Sequence, residues 1–282
     1  MSQKDYAHFV ITCFNIPANY AGHKNKSMNG VDPKTDINYL TRRIELFKKY
    51  TFPSLKNQTD QNFKWLVLFS DATPALIREE LYKLKEEFEN FCPLFLKDEE
   101  AYNFDEYLAG IIGQVDAKAY ITTRIDNDDA MNIHMIQEIH KYFEEYKKTN
   151  VLVSFPYGLQ YMEEKKLYSN FYLFGNHFIT LILPTSDKTV ISFPHNKLPK
   201  EITKITLGGK KKEPMWIEII HGTNYANQQS FHIGKALKST KVFDGFSCDI
   251  EPLSHFGVVR NLILSIPVTI GLVFKVLKQL KK

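Results

Sequence analysis

Cysteine is scarce in this 282-residue chain, and the three present, Cys13, Cys92 and Cys248, are odd in number and far apart. They match neither a disulfide framework nor zinc-ligand spacing, so the expectation is a reducing compartment and no structural zinc. An excess of one charge is also lacking. Lys plus Arg number 36 against 32 Asp plus Glu, and the resulting +4 is too small to argue for a nucleic-acid partner. Long hydrophobic runs are missing too. The longest, "NLILSIPVTIGLVF" from Asn261 to Phe274, is shorter than the roughly 20 residues that cross a bilayer. The opening "MSQKDYAHFVITCFN" has no basic-then-apolar layout of a signal peptide, which leads to an expected cytoplasmic location.

What is present is the balance of a folded globular protein, with 44% hydrophobic and 24% charged residues, enough to exclude a disordered chain. Aromatics are plentiful, Phe 21 and Tyr 15, which suits a large core or a cleft that stacks ring-shaped ligands. Residues 8–14, "HFVITCF", and 63–69, "FKWLVLF", read as buried strands. Between them Ile37, Leu40, Ile44 and Phe47 share one helical face. A second helix puts Ile77, Leu81, Leu84, Phe88 and Phe91 on one stripe, and 105–115 reads as a third. The strand "AYITT" follows, then a helix with Met135, Ile139, Tyr142 and Tyr146 in register, then the strand "VLVSF" at 151–155. Alternating strands and helices predict an α/β domain with a largely parallel sheet. Beyond residue 155 the pattern turns to short strands, "HFITLIL" and "TVISF" among them, and predicts hairpins.

The stretch "ITTRIDNDDAM" gathers three carboxylates, Asp126, Asp128 and Asp129, within four positions at the end of a predicted strand. Ligands of open α/β sheets bind outside the carboxyl ends of the strands. A divalent cation held between Asp-x-Asp and a diphosphate is one reason to collect such charge. The other reading is a loop, with Asn127 as a turn residue and Asp129 capping the next helix.

With "FNI" after the first strand, "LTRRIELFKKYTFPSLKNQTDQNFKWLVLFSDATP", "ITTRIDNDDAM" and "MWIEIIHGTNYANQ" in this order, the chain resembles GT-A glycosyltransferases. More narrowly it resembles the bacterial family described as "putative rhamnosyltransferases". The resemblance implies a Rossmann-like, mostly parallel sheet over 1–257, with a nucleotide-sugar half to about residue 130, an acceptor half over 131–257 and a basic amphipathic tail over 258–282. It implies a metal-dependent, inverting transfer of a hexose or deoxyhexose, rhamnose among them, from a nucleoside-diphosphate donor to a saccharide or lipid-linked saccharide acceptor.

Carried over residue by residue, it places Asn15, Arg42, Arg43, Asp71, Arg124, Asp126 and Lys210 at the nucleotide-sugar and Asp126, Asp128 and His221 at the metal. An imidazole ligand favours Mn²⁺ over Mg²⁺. Asn224 and Asn227 are further donors to sugar or nucleotide, and "LGGKKKEP" with Lys210 to Lys212 is a candidate lid. The base that takes the acceptor proton is open among His195, Asp187, Glu213 and Glu218. In the tail, Leu272, Val276 and Leu280 share a helical face with lysines elsewhere, which suits the surface of an anionic membrane. Two other function classes remain. One is a non-catalytic saccharide-binding or scaffold domain. The other is a nucleotidyltransferase, disfavoured because "FNIPANYAGHKNKSMNG" is no Gly-rich phosphate loop.

Overall fold

The computed structural model describes residues 3–16, 32, 34–193, 199–208, 213–222, 236–237, 243–250 and 253–280. Its first strand, β1 (Ala7–Cys13), is buried along almost its whole length, as expected of a strand covered on both faces. Helix α1 (Ile37–Leu46) starts at Asp36, whose carboxylate accepts the Tyr39 N–H at 2.8 Å. It runs into a π turn (Phe47–Thr51) and then α2 (Phe52–Lys56). The cause lies at Pro53, which has no N–H to donate to the Lys49 carbonyl and whose ring would crowd it. The helix widens there, and the Lys49 carbonyl accepts the Asp249 N–H instead, at 3.0 Å. The wider turn lets one helix serve two cores. Ile44 and Phe47 pack on one, Leu46 and Tyr50 on the other.

Strand β2 (Lys64–Ser70) is followed by α3 (Ala75–Glu87), β3 (Phe91–Leu96), α4 (Asp98–Tyr102), α5 (Phe104–Ile112) and β4 (Tyr120–Arg124). After β4 come the two-residue β5 (Ala130–Met131), α6 (Met135–Tyr146), β6 (Val151–Ser154), β7 (Tyr157–Met162), β8 (Leu167–Tyr172) and β9 (Ile179–Leu183). The chain ends with β10 (Thr203–Thr206), β11 (Trp216–Ile220) and α7 (His255–Leu280). A seven-stranded sheet runs β10-β6-β9-β4-β1-β2-β3, and a four-stranded one runs β5-β11-β7-β8. In the large sheet only β9 opposes its neighbours, pairing antiparallel with β4 and β6. The α/β class with a mainly parallel sheet is therefore as expected.

From β1 the chain passes through α1 to β2 on one side, then returns by α4 and α5 to β4 on the other. This reversal opens a crevice at the carboxyl ends of β1 and β4. The smaller sheet is fixed over that end through Trp216, which stacks on Phe178 at 4.8 Å and donates to the Phe155 carbonyl at 2.7 Å. Its indole lies where a Cβ on residue 158 would be, 2.1 Å away, so only glycine fits at Gly158.

Four local expectations differ from the structure. The stripe of α3 ends at Leu84, and Phe91 opens β3, where it packs edge-on to Trp65 at 5.2 Å. Phe88 and Phe91 are buried three residues apart, as on a helix, but Phe88 already has extended backbone. "TVISF" forms no ladder, because Val190 and Ile191 are buried from a turn whose Val190 N–H is accepted by the Thr122 hydroxyl. Tyr146 is half exposed on α6, with its ring against Tyr142. Finally, hairpin pairing holds for β7–β8, but β10 and β11 join parallel partners, β6 and β7.

Candidate active site

Residues 125–129 leave β4 at the crevice and are tied to β1. The Thr12 hydroxyl donates to the Ile125 carbonyl at 2.9 Å, and the Asn127 amide to the Phe14 carbonyl at 3.2 Å. Neighbouring carboxylates are thereby turned in different directions. Each meets its own cation or imidazole.

Asp126, partly exposed, receives the Arg124 guanidinium through Nε at 3.1 Å and Nη2 at 3.0 Å. Burial works to raise its pKa, yet the charges of Arg124 and His177 outweigh it and hold the carboxyl below the usual range. Asp128 is buried, and its Oδ2 accepts from Arg43 Nη1 at 2.9 Å and lies 2.8 Å from His221 Nε2. Here too burial is outweighed, by Arg43 and then His221, and the pKa falls to about 2. Asp129 is the most buried of the three. Its Oδ1 accepts the Ile219 N–H at 2.8 Å and its Oδ2 faces His177 Nε2 at 2.9 Å. Burial, reinforced by the Asp128 charge, pushes this carboxyl up, while the contact with Asp129 pushes His177 up against its own burial. Asp129 therefore does not cap α6. The short strand β5 intervenes, and the helix begins only at Met135.

The arginines of α1 divide. Arg43 points in to Asp128, 3.5 Å from His221 Nε2, while Arg42 points out to Glu163, which also accepts from Lys49 and Tyr50. Asn15 is buried at the end of β1, accepting the Ser70 N–H and donating to Thr73 and the Lys34 carbonyl, so it pins the ends of β1 and β2 together. Asp71 is exposed at the carboxyl end of β2. Lys210, Lys211, Lys212, His195, Asn224 and Asn227 lie outside the described residues.

Of the described candidates for the base, the structure brings one to the crevice. Glu218 is buried on β11, accepts from the Gln160 amide, and is held above the usual range by burial; the His177 charge opposes this, and the Asp126 and Asp128 charges add to it. Asp187 goes to the opposite end of the sheet. Because β9 runs antiparallel to β4, Leu183 pairs with Tyr120 and the loop after it lies by the start of β4. Glu213 lines a different groove, of about 730 Å³, with His134, Tyr142 and Tyr146 of the α6 side.

The same antiparallel pairing delivers a residue that sequence reasoning missed. His177 precedes β9 and so stands beside the carboxyl end of β4, where its imidazole closes on Asp129. Ligand atoms of Asp126, Asp129 and His177 all lie within 4.8 Å of one another, and this is the group among the described residues that has the make-up of a cation site.

Among solved structures, the chain is similar to three of S. aureus TarS. TarS 1–349 has 10% identity and a TM-score of 0.39, with 76% of this chain and 60% of that one covered. TarS itself has 10% identity and a TM-score of 0.40, with 76% and 37% covered. TarS 1–349 in complex with UDP-GlcNAc has 10% identity and a TM-score of 0.38, with 78% and 62% covered. The chain thus spans 37–62% of the TarS chains it matches. A search of the curated proteins gave no match. A family model described as "Putative rhamnosyl transferase" matches residues 8–233, most of the chain, and the protein belongs to that glycosyltransferase family.

Proposed function

We propose that this protein is a metal-dependent glycosyltransferase that moves a sugar, rhamnose by its family, from a nucleoside-diphosphate donor to a saccharide or lipid-linked saccharide, with inversion. The observation that carries this reading is the set of three carboxylates at the carboxyl end of β4, interleaved with Arg43, Arg124, His177 and His221. Such a crevice has cationic groups for a diphosphate and oxygen and nitrogen donors for a cation. The donor set fits a divalent ion, since carboxylates and an imidazole together suit Mn²⁺ better than Mg²⁺. When bound, the ion neutralises charge on the departing diphosphate.

The chain's own residues do the rest. Arg43 meets the diphosphate, Asp71 at the end of β2 meets the nucleoside, and Glu218 takes the proton from the acceptor hydroxyl. The raised pKa of Glu218 suits a base that must accept a proton near neutral pH. α7 contacts an anionic membrane. Among the described residues no helix is long and apolar enough to cross one. Instead α7 exposes Phe256, Val259, Ile263, Ile266, Ile270 and Val273, spaced three and four apart, ahead of lysines at 275, 278, 281 and 282.

The test is a binding and turnover screen with dTDP, UDP and GDP and their sugars, in Mn²⁺ or in EDTA. Metal-dependent release of one nucleoside diphosphate is expected, with Glu218→Gln lowering kcat by about 10²–10⁴ and leaving donor Kd unchanged. No binding of any nucleotide, with any metal, moves the reading to a non-catalytic scaffold.

A further inference from the structure

We infer that the cation of this site is held by Asp126, Asp129 and His177, and that Asp128 and His221 belong with Arg43 to the neighbouring group that receives the diphosphate. The inference rests on the transferase reading above and departs from the Asp126, Asp128 and His221 set implied by family resemblance.

Geometry separates the two groups. In the first, ligand atoms from all three residues lie within 4.8 Å of one another. Six-coordinate ions with bonds of about 2.0–2.1 Å hold ligand atoms about 3 Å apart when adjacent and about 4 Å apart when opposite. Small side-chain rotations close that difference. In the second group the position beside Asp128 is already taken by a cation. Arg43 Nη1 is 2.9 Å from Asp128 Oδ2, and both side chains are buried. A divalent ion bound to the same carboxylate would stand against a desolvated guanidinium, and the two repel.

The residues around the first group orient it as metal ligands are oriented. The Ile219 N–H holds Asp129 Oδ1 and leaves Oδ2 to His177. Arg124 holds Asp126 Oδ1 at 3.0 and 3.1 Å and reaches Oδ2 at 3.3 Å, but Asp126 is 38% exposed, so water screens this pair as it does not screen Arg43 and Asp128. His177 Nε2 and Asp129 Oδ2 face each other at 2.9 Å, and a cation between them would be held by an ionised carboxylate and a neutral imidazole. Asp126, the most exposed member, leaves a side open to water and phosphate oxygens.

A separate observation points to the anion. Arg43 is more than nine-tenths buried, reaches Asp128, and has an Nε–H with no acceptor among the described residues. A buried guanidinium N–H without a partner is costly, and an oxygen of the diphosphate would supply one. Arg43 thus acts as the fixed counter-charge between Asp128 and the diphosphate.

The test is Mn²⁺ binding by the full chain with no nucleotide, read from the free-ion EPR signal. Asp129→Asn and His177→Gln are expected to weaken binding at least about tenfold, and Asp128→Asn and His221→Gln to change it less than about threefold. Pulsed EPR on bound Mn²⁺ gives a second readout that does not depend on affinity. Coupling to an imidazole nitrogen is expected in the parent and in His221→Gln, and is expected to vanish in His177→Gln. Thermal melts of each variant check that it folds. The inference is overturned if the nitrogen coupling follows His221, if Asp128→Asn removes binding while His177→Gln retains it, or if the parent binds no Mn²⁺. Sugar transfer that persists in EDTA overturns it, together with the metal dependence, and leaves sugar transfer itself standing. Mn²⁺ binding in the stated pattern, without binding of any nucleotide, does the reverse.

Discussion

Replacing Arg43 by methionine isolates the ion pair at the centre of the site. Methionine keeps most of the aliphatic stem and removes the charge that faces Asp128 at 2.9 Å. The two side chains are 11% and 10% exposed, so water screens neither. Two magnitudes bound the loss. Asp128 is held at about 2 against an ordinary value of 3.8, which at about 1.36 kcal/mol per pH unit represents about 2 kcal/mol shared between Arg43 and His221. Because the folded pKa is depressed, this stabilisation is fully present above pH 3.8 and is lost as the pH falls through about 2. Removing one member of a buried pair costs more, about 3–5 kcal/mol, since the survivor stays buried and uncompensated. Arg43→Met is therefore expected to lose about 3 kcal/mol at neutral pH. In an Asp128→Asn background the same change removes an uncompensated guanidinium, along with an Nε–H that finds no acceptor among the described residues. The double variant should then lose less than the sum of the two single ones, by at least about 1 kcal/mol. Urea unfolding followed by fluorescence suits the cycle, because Trp65 and Trp216 are both fully buried. Additive losses, or an Arg43→Met protein within about 0.5 kcal/mol of the parent, refute the claim that the pair is desolvated and coupled.

Gly158→Ala would place a Cβ 2.1 Å from the Trp216 ring, and we expect a loss of about 3 kcal/mol, or a Tm lower by roughly 6–12 °C; a calorimetric Tm within about 2 °C of the parent would contradict the packing described. His8 is buried between His140 and Thr123, at 2.8 Å from each, and burial, helped by the His140 charge, keeps it neutral well below pH 6.5. The unfolded chain binds that proton and the folded one does not, so stability should fall as the pH drops below about 6.5. Its slope approaches about 1.36 kcal/mol per pH unit from this group, against the opposite contributions of Asp129, His177 and Glu218. The decisive readout is therefore the His8 imidazole itself: an NMR titration in which it protonates in the folded protein with a midpoint near 6.5 would refute the claim. For α7, Ile263→Glu with Ile270→Glu should abolish flotation with anionic vesicles, since both side chains are more than half exposed. Unchanged flotation removes the membrane contact from the proposed function.

Local patterns were enough to find β1, β2, β4 and β6, because buried parallel strands are apolar runs, and enough to find α1, α3 and α6 from one-sided stripes. They also located the acidic cluster at a strand's carboxyl end, where the α/β rule places ligands. They did not separate Phe88 from Phe91, since burial three residues apart looks alike on a helix and across a helix-to-strand junction. Nor did they sort the cluster itself. Asp126, Asp128 and Asp129 are near neighbours in sequence, yet one meets Arg124, one Arg43 and His221, and one His177 and the backbone of β11. That sorting depends on the direction of β9. Inserted antiparallel between β4 and β6, it carries His177 to the site and Asp187 to the far end of the sheet. Sequence by itself determined β1, β2, β4 and β6, the apolar faces of α1, α3 and α6, and that carboxylates gather after β4, because hydrophobic periodicity and turn chemistry are local. Tertiary structure alone decided which histidine and which arginine meet each carboxylate, because strand order and direction arise from pairings dozens of residues apart that leave no mark on the residues they bring together.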